Sequence, residues 1–507
     1  MVERRQLGRS QSTAEGLTLA FLLALSATAA AQPAEPKVTG TVSNITRVES
    51  WSYFEPRLDI LALTQEPVGE PDYTFIGDRA ELGVFVEGSR FDLAGTFNYV
   101  RLENLPTNAI GPGGFGSGAF YFAATGVRYS YQLYLSELTA RIKSRDRKRS
   151  LTFGRMTFSS GVRLRPPSNA LSGDGATGLR PGLNRSVERL TQERLQSRLI
   201  GNFEWSYYQR RFDGARFDLD RGRWQYTAAA FVPTQGGFEE STNLSMPKVQ
   251  VAVGSATRTG ERSESQGFAY LYRDRRRGRF AVVDNTFSTD RPVNILVATA
   301  GGSHARVAPV RSGELDAVAW GAVQTGDWYG APHRAASAAI EAGHRWTRAP
   351  LRPWLRGGYL WSSGDEDPRD GTHGTFFQML PSSRKYALSS VYAQMNLRDA
   401  FLQAWIEPRR FSSRIEVHRV SLASGRDLWY QGSGATVSRD RFFGFSGRAA
   451  GGETSLGTVL EGTVDVPIRK HWSVNGYAGT MWGGGVVSRM FTGTRLTFWS
   501  IENVIRF

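Results

Sequence analysis

The chain has no cysteine, little lysine and, beyond its first residues, no long apolar run. Without cysteine there is neither a disulfide framework nor a thiolate metal site. Only six of the 62 basic residues are lysine (Lys37, Lys143, Lys148, Lys248, Lys385 and Lys470), so arginine carries the net charge of +15. Such a balance raises nucleic acid as a partner. The arginines, however, are spread through alternating segments with carboxylates between them, with no zinc-finger spacing and no recognition-helix pattern. No nucleic-acid partner is expected. No later stretch holds 18 successive apolar residues, which excludes a transmembrane helix. His304, His333, His344, His373, His418 and His471 fall in no signature with a serine or aspartate, and neither G-x-S-x-G nor H-E-x-x-H occurs. Neither an enzyme, nor a cofactor, nor a metal centre is expected.

What is present begins at the amino end. Arg4, Arg5 and Arg9 precede the apolar run Leu17 to Ala27 and the small residues Ala29-Ala30-Ala31. A basic region, a short apolar core and an A-x-A-like site predict a secretory signal peptide over 1–31. Its core is shorter than the roughly 20 residues that span a bilayer. A short tether (32–37) then leads to a single body over 38–507, with too few residues before the first clear hairpin for a plug domain.

Period-two patterning runs through that body. Leu82, Val84 and Val86 alternate with Glu81, Gly83 and Glu87, and after Gly88-Ser89-Arg90 the pattern resumes from Phe91 to Tyr99. Further hairpins are expected at 129–142 with 151–159, 267–273 with 279–287, 335–348 with 355–363, and 459–466 with 472–482. Short turns alternate with long connections at 104–120, 160–195, 364–383 and 424–454, as in an outer-membrane barrel. Hairpins with one face in lipid satisfy their edge groups only by closing. Roughly nineteen candidate segments and the even-number rule predict an all-β, antiparallel transmembrane barrel of about 18 strands, with 16 or 20 as alternatives. At the carboxyl end Ile505, Ile501 and Trp499 oppose Arg506, Glu502 and Ser500, and the chain ends on Phe507. That strand resembles the closing strand read by the barrel-assembly machinery, and places the protein in outer-membrane lipid.

The stretch RLIGNFEWSYYQRRFDGARF, Arg198 to Phe217, reads as a further strand, with Leu199, Phe203, Trp205 and Tyr207 on one face and Arg198, Asn202, Glu204 and Arg210 on the other. The preceding insert, 160–195, holds a short helical pattern from Ser186 to Leu195, destined for the mouth or lumen, or for an external loop.

Three blocks resemble the alginate export family of outer-membrane barrels. The first is Phe153-Gly154-Arg155 with Arg198-Leu199-Ile200-Gly201, Trp205 and Arg211-Phe212-Asp213-Gly214-Ala215-Arg216. The second runs from Gly358-Tyr359 through Ser363-Gly364-Asp365-Glu366-Asp367-Pro368, Asp370-Gly371 and Thr375-Phe376 to Leu380-Pro381, and the third is Glu461 to Asp465. The resemblance implies an 18-stranded barrel whose electropositive lumen passes an anionic polyuronate outward. Two departures stand out: a long insert separates Arg155 from Arg198, and Ser382-Ser383-Arg384-Lys385 stands where the family often carries a histidine.

Arg155, Arg198, Arg211 and Arg216, with Glu204 and Asp213 as partners, are the expected pore lining. A guanidinium fork suits a sugar carboxylate better than an ammonium does. A second set is Glu341, Arg356, Asp365, Asp367, Glu461 and Asp465. Asp365, Asp367 and Asp370 lack the spacing of a calcium loop, which favours a solvated turn. The expected function is a passive channel for an anionic polysaccharide or small anions. The alternatives are a general anion porin, or a barrel-anchored surface-binding protein.

Overall fold

The computed structural model describes residues 36–55, 70–109, 118–161, 184–236, 244–277, 292–382, 391–438 and 443–507. The expected leader (1–31) and most of the tether lie outside them.

The wall begins with β1 (Lys37–Ser52), β2 (Asp72–Glu87), β3 (Phe91–Glu103), β4 (Ser130–Lys143), β5 (Arg149–Met156) and β6 (Phe212–Arg221). It continues with β7 (Trp224–Pro233), β8 (Val249–Thr259), β9 (Ser263–Asp274), β10 (Ile295–Val310), β11 (Gly313–Trp328) and β12 (Ala331–Arg345). After β13 (Trp354–Ser362), β14 (Leu397–Ile406) and β15 (Ser412–Leu422), a separate hairpin of β16 (Leu428–Gly432) and β17 (Phe445–Ala449) intervenes. β18 (Ser455–Arg469), β19 (Trp472–Gly483) and β20 (Arg495–Arg506) complete the ring. Every strand pairing in the wall is antiparallel, and β1 pairs with both β2 and β20, so the 18-stranded sheet closes. At the seam Phe507 N donates to Val42 O (2.8 Å) and Val42 N to Phe507 O (3.0 Å). The wall therefore has no open edge, as hydrocarbon requires.

Alternation along the strands separates two environments. Leu82, Leu133, Ile340, Leu402 and Ile501 are exposed on the outer face, with Trp224, Tyr226, Trp472 and Trp499 among them. The opposite parity is buried, because the bore is filled by chain: Leu199, Ile200, Phe376, Phe377 and Leu380 belong to one apolar cluster with inward wall residues such as Val297, Trp320 and Leu360.

Short turns, such as 88–90, 222–223 and 470–471, gather at the end where β1 starts and β20 finishes; the longer connections gather at the other. The exception is the β11–β12 turn at the long-loop end, only Tyr329 and Gly330. Both have left-handed φ (56° and 96°), which a two-residue hairpin turn of this hand requires. The hairpins expected at 79–103, 129–159, 335–363 and 459–482 are found. The one expected at 267–287 is not: both edges of β9 are taken, by β8 and β10, and 279–287 lies outside the described residues.

Candidate functional site: a chain segment across the bore

Arg198 to Arg211 is not a strand; the wall resumes only at Phe212. A wall strand keeps one face in lipid, whereas here Leu199, Ile200, Asn202, Phe203, Tyr207 and Tyr208 are all buried. The chain bends at Ser197 and Phe203, where φ is 60° and 57°. Its backbone pairs with another long connection: Gly201 N donates to Leu380 O, Leu380 N to Leu199 O (both 2.8 Å), and Ser382 N to Ser197 O. The apolar face seen in the sequence is real, but it touches protein inside the cylinder.

The segment is anchored at the short-turn end. There α1 (Arg185–Leu190), continued by a π turn (Thr191–Leu195), begins at Asn184, whose side chain accepts from Ser186 N as an N-cap. Asn184 N donates to Glu261 O in the β8–β9 turn, and Ser186 Oγ to Glu314 at the start of β11 (2.6 Å). Arg189 and Arg345 both meet Glu407. Higher up, Arg194 Nε donates to Glu341 Oε2 (2.8 Å) and Arg198 to Glu341 Oε1 (3.4 Å), while Arg356 stands 3.1 Å from the same carboxylate and 3.0 Å from Asp316. Three guanidiniums thus share Glu341.

From this wall the chain crosses to the far side of the ring. Tyr207 lies over Gly77 of β2 and donates from its hydroxyl to Arg47 O (3.3 Å), and its backbone N–H reaches Tyr121 Oη (3.1 Å). Arg47, paired with Glu49 and Glu502, stacks over Trp205 and Tyr207. Arg79 donates to the carbonyls of Glu204 and Ser206. Arg210 donates to the carbonyls of Gly201, Pro381, Ser433 (2.7 Å) and Ala435, and so ties three connections together within the bore. No carboxylate pairs with Arg79 or Arg210 among the described residues.

The expected lining residues are thus distributed unevenly. Arg198 and Arg211 are in the bore, Arg211 3.2 Å from Glu137. Arg216 faces inward on β6, 2.8 Å from Asp218, near Arg141, Lys143 and their partner Asp92. Glu204 is exposed and pairs with no arginine among the described residues. Arg155 and Asp213 do form a two-pronged ion pair (2.7 and 2.8 Å). They share the parity of the outward Phe153 and Phe217, so the pair stands on the outer wall at the long-loop end and not in the bore. Glu341 and Arg356 meet inside, as their shared parity predicts. Glu461 is buried on the inner wall, and Asp465 is exposed two positions further along that face. Asp365, Asp367 and Asp370 shape a turn: each accepts from the backbone N–H two residues ahead.

Reading the sequence missed Arg47, Arg194, Asp399, Arg414, Glu416 and His418. Arg414, Glu416 and His418 fall at i, i+2, i+4, the inward spacing of a strand, and that signal was available. Arg210 stood on the polar face of the expected strand, but its carbonyl partners in other connections carried no sequence signal.

At the long-loop end Asp427 fastens 363–382 to the β16–β17 hairpin: its carboxylate accepts from Asp365 N, Thr375 Oγ1, Leu428 N and Tyr430 Oη. Burial pushes this carboxyl up to about 6. His373 stacks flat on Trp328 (4.1 Å) with its Nδ1 2.8 Å from that of His333, and burial holds it well below its usual value.

No curated protein matches the chain. Among solved structures it is similar to OccAB1 of Acinetobacter baumannii (TM-score 0.53, 8% identity, covering 93% of this chain and 96% of that one). It is equally similar to OccK2 (OpdF) of Pseudomonas aeruginosa in complex with glucuronate (0.53, 8%, 93% and 96%). A third is the outer membrane protein opdK of Pseudomonas aeruginosa (0.51, 8%, 92% and 99%). At such identities the likeness is one of fold. Residues 176–493 match the alginate export family. That match covers more than half the sequence, and the closed wall agrees with it: the chain belongs to the alginate export family and is a porin-like channel of the outer membrane.

Proposed function

We propose that the channel passes carboxylated sugars passively, as an alginate-like polyuronate or as small anions, along a path made positive by the segment that crosses the bore. The observation that carries this reading is the placement of Arg194, Arg198, Arg210 and Arg211 on that segment, with Glu341 shared three ways and Arg210 bonded only to carbonyls. A carboxylate entering such a site meets guanidinium donors already held in place. Passage needs weak, repeated contacts, and a series of arginines along the crossing segment provides them. The glucuronate bound by OccK2 is a carboxylated sugar on the same fold. Export through a cleaved leader (1–31), and assembly through β20 ending on Phe507, belong to the same reading. A second reading, small anionic solutes alone, is favoured by the depth at which Leu199 to Arg211 fills the bore.

Planar-bilayer recording with added oligouronates separates these readings. Block that deepens with oligomer length supports a polyuronate track, while block by monouronates alone supports small solutes. A folded protein that does not conduct would leave only a surface-binding role, and would overturn both.

A further inference from the structure

We infer that the inner wall carries a divalent transition-metal site, of the zinc class, made by Glu416, His418 and Glu461. Glu416 and His418 are two residues apart on β15 and share a face, and Glu461 of β18 is the direct cross-strand partner of Glu416. All three are fully or almost fully buried, and one ligand atom from each lies within 4.8 Å of the others.

The histidine points to an ion. Its Nδ1 faces both oxygens of Asp399 (3.0 and 3.1 Å), which fixes Nδ1 as the protonated nitrogen and turns Nε2 toward the two glutamates. Nε2 has no hydrogen-bond partner although the side chain is wholly buried. It stands 4.0 Å from Glu416 Oε2, too far for a hydrogen bond but wide enough for a cation between them. Ligand atoms on a tetrahedral zinc sit roughly 3.4 Å apart, so small side-chain rotations close the site. The supporting contacts are those of a metal ligand set: Asp399 orients the imidazole, Gln403 donates to Glu416, and Tyr477 Oη donates to Glu461 (2.8 Å). Phe401 stacks on the ring.

Charge leads the same way. Asp399, Glu416 and Glu461 face Arg414 and Arg194, and Arg194 is already bonded to Glu341. The cluster therefore has a surplus of negative charge that a bound cation offsets. A mixed imidazole and carboxylate set suits zinc-like ions over calcium or magnesium.

The test uses the full-length folded barrel in detergent, stripped with chelator and titrated with Zn2+ alone, with Co2+ as a spectroscopic probe. One ion per chain and a Co2+ visible spectrum of low-symmetry, tetrahedral type are expected. His418→Gln and Glu461→Gln should each weaken binding at least ~10-fold, and Asp399→Asn about 10–100-fold through the orienting bond. Retention of the barrel is checked for each by its heat-dependent gel mobility. His373→Gln is the control for the other buried histidine pair. No stoichiometric ion on a folded barrel, or a loss that follows His373 instead of His418, overturns the site.

Discussion

Tyr207 occupies the space above Gly77: a Cβ at that glycine would stand 2.0 Å from Tyr207 Cζ. One missing side chain on β2 thus lets the far end of the crossing segment seat on the wall opposite Glu341. Gly77→Ala should unseat the ring at a cost of about 1–3 kcal/mol. Since β2 keeps its pairing, the expected result is a folded barrel with higher and noisier single-channel conductance. Unchanged conductance would mean that the segment is not a constriction.

Glu341→Gln removes the one carboxylate that Arg194, Arg198 and Arg356 share. Breaking a buried pair of this kind costs about 3–5 kcal/mol. Lower thermal stability together with a stronger preference for anions is expected. A shift toward cations would contradict the placement of these groups.

Arg155→Gln tests the outer position of the Arg155–Asp213 pair. Partly exposed pairs contribute roughly 0–1 kcal/mol. Its reversal potential should equal that of the wild type, whereas Arg216→Gln, on the inner face of the adjacent strand, should lower anion preference. Equal effects from the two would return Arg155 to the bore.

Two buried groups in the long connections titrate in opposite senses. The folded state holds the Asp427 proton more tightly than the unfolded chain does, because its carboxyl is raised from 3.8 to about 6. Its stabilisation, of order 2–3 kcal/mol, is present below about pH 4 and lost as the pH rises through 6. His373, held well below 6.5, contributes above that value and loses its contribution on acidification. Relative to the wild type, His373→Gln should gain thermal stability at pH 4 over pH 7, and Asp427→Asn should lose it. The same slope in both variants would contradict these environments.

The wall was legible in the sequence because lipid outside and filled bore inside impose a period of two that few other arrangements share. The outward parity of β2 and β20 follows from residues such as Leu82, Val84, Trp499 and Ile501. The crossing segment was not legible as such. Leu199, Phe203 and Tyr207 alternate like a strand, but alternation reports only that two faces differ, and not whether the apolar one meets lipid or protein. The same ambiguity moved Arg155 and Asp213 to the outer face, since a residue's parity shows only once Phe153 and Phe217 are seen to point outward. Glycine at 77 has no pattern at all until the ring that rests on it is placed.

The central claim is that arginines on a segment across the bore make the path selective for anions. The reversal potential of single channels under a KCl gradient, for the wild type and for Arg198→Gln with Arg211→Gln, tests it most directly. The account predicts an anion-selective potential in the wild type that moves toward zero in the double variant. A cation-selective wild type, or a potential indifferent to both arginines, would contradict it.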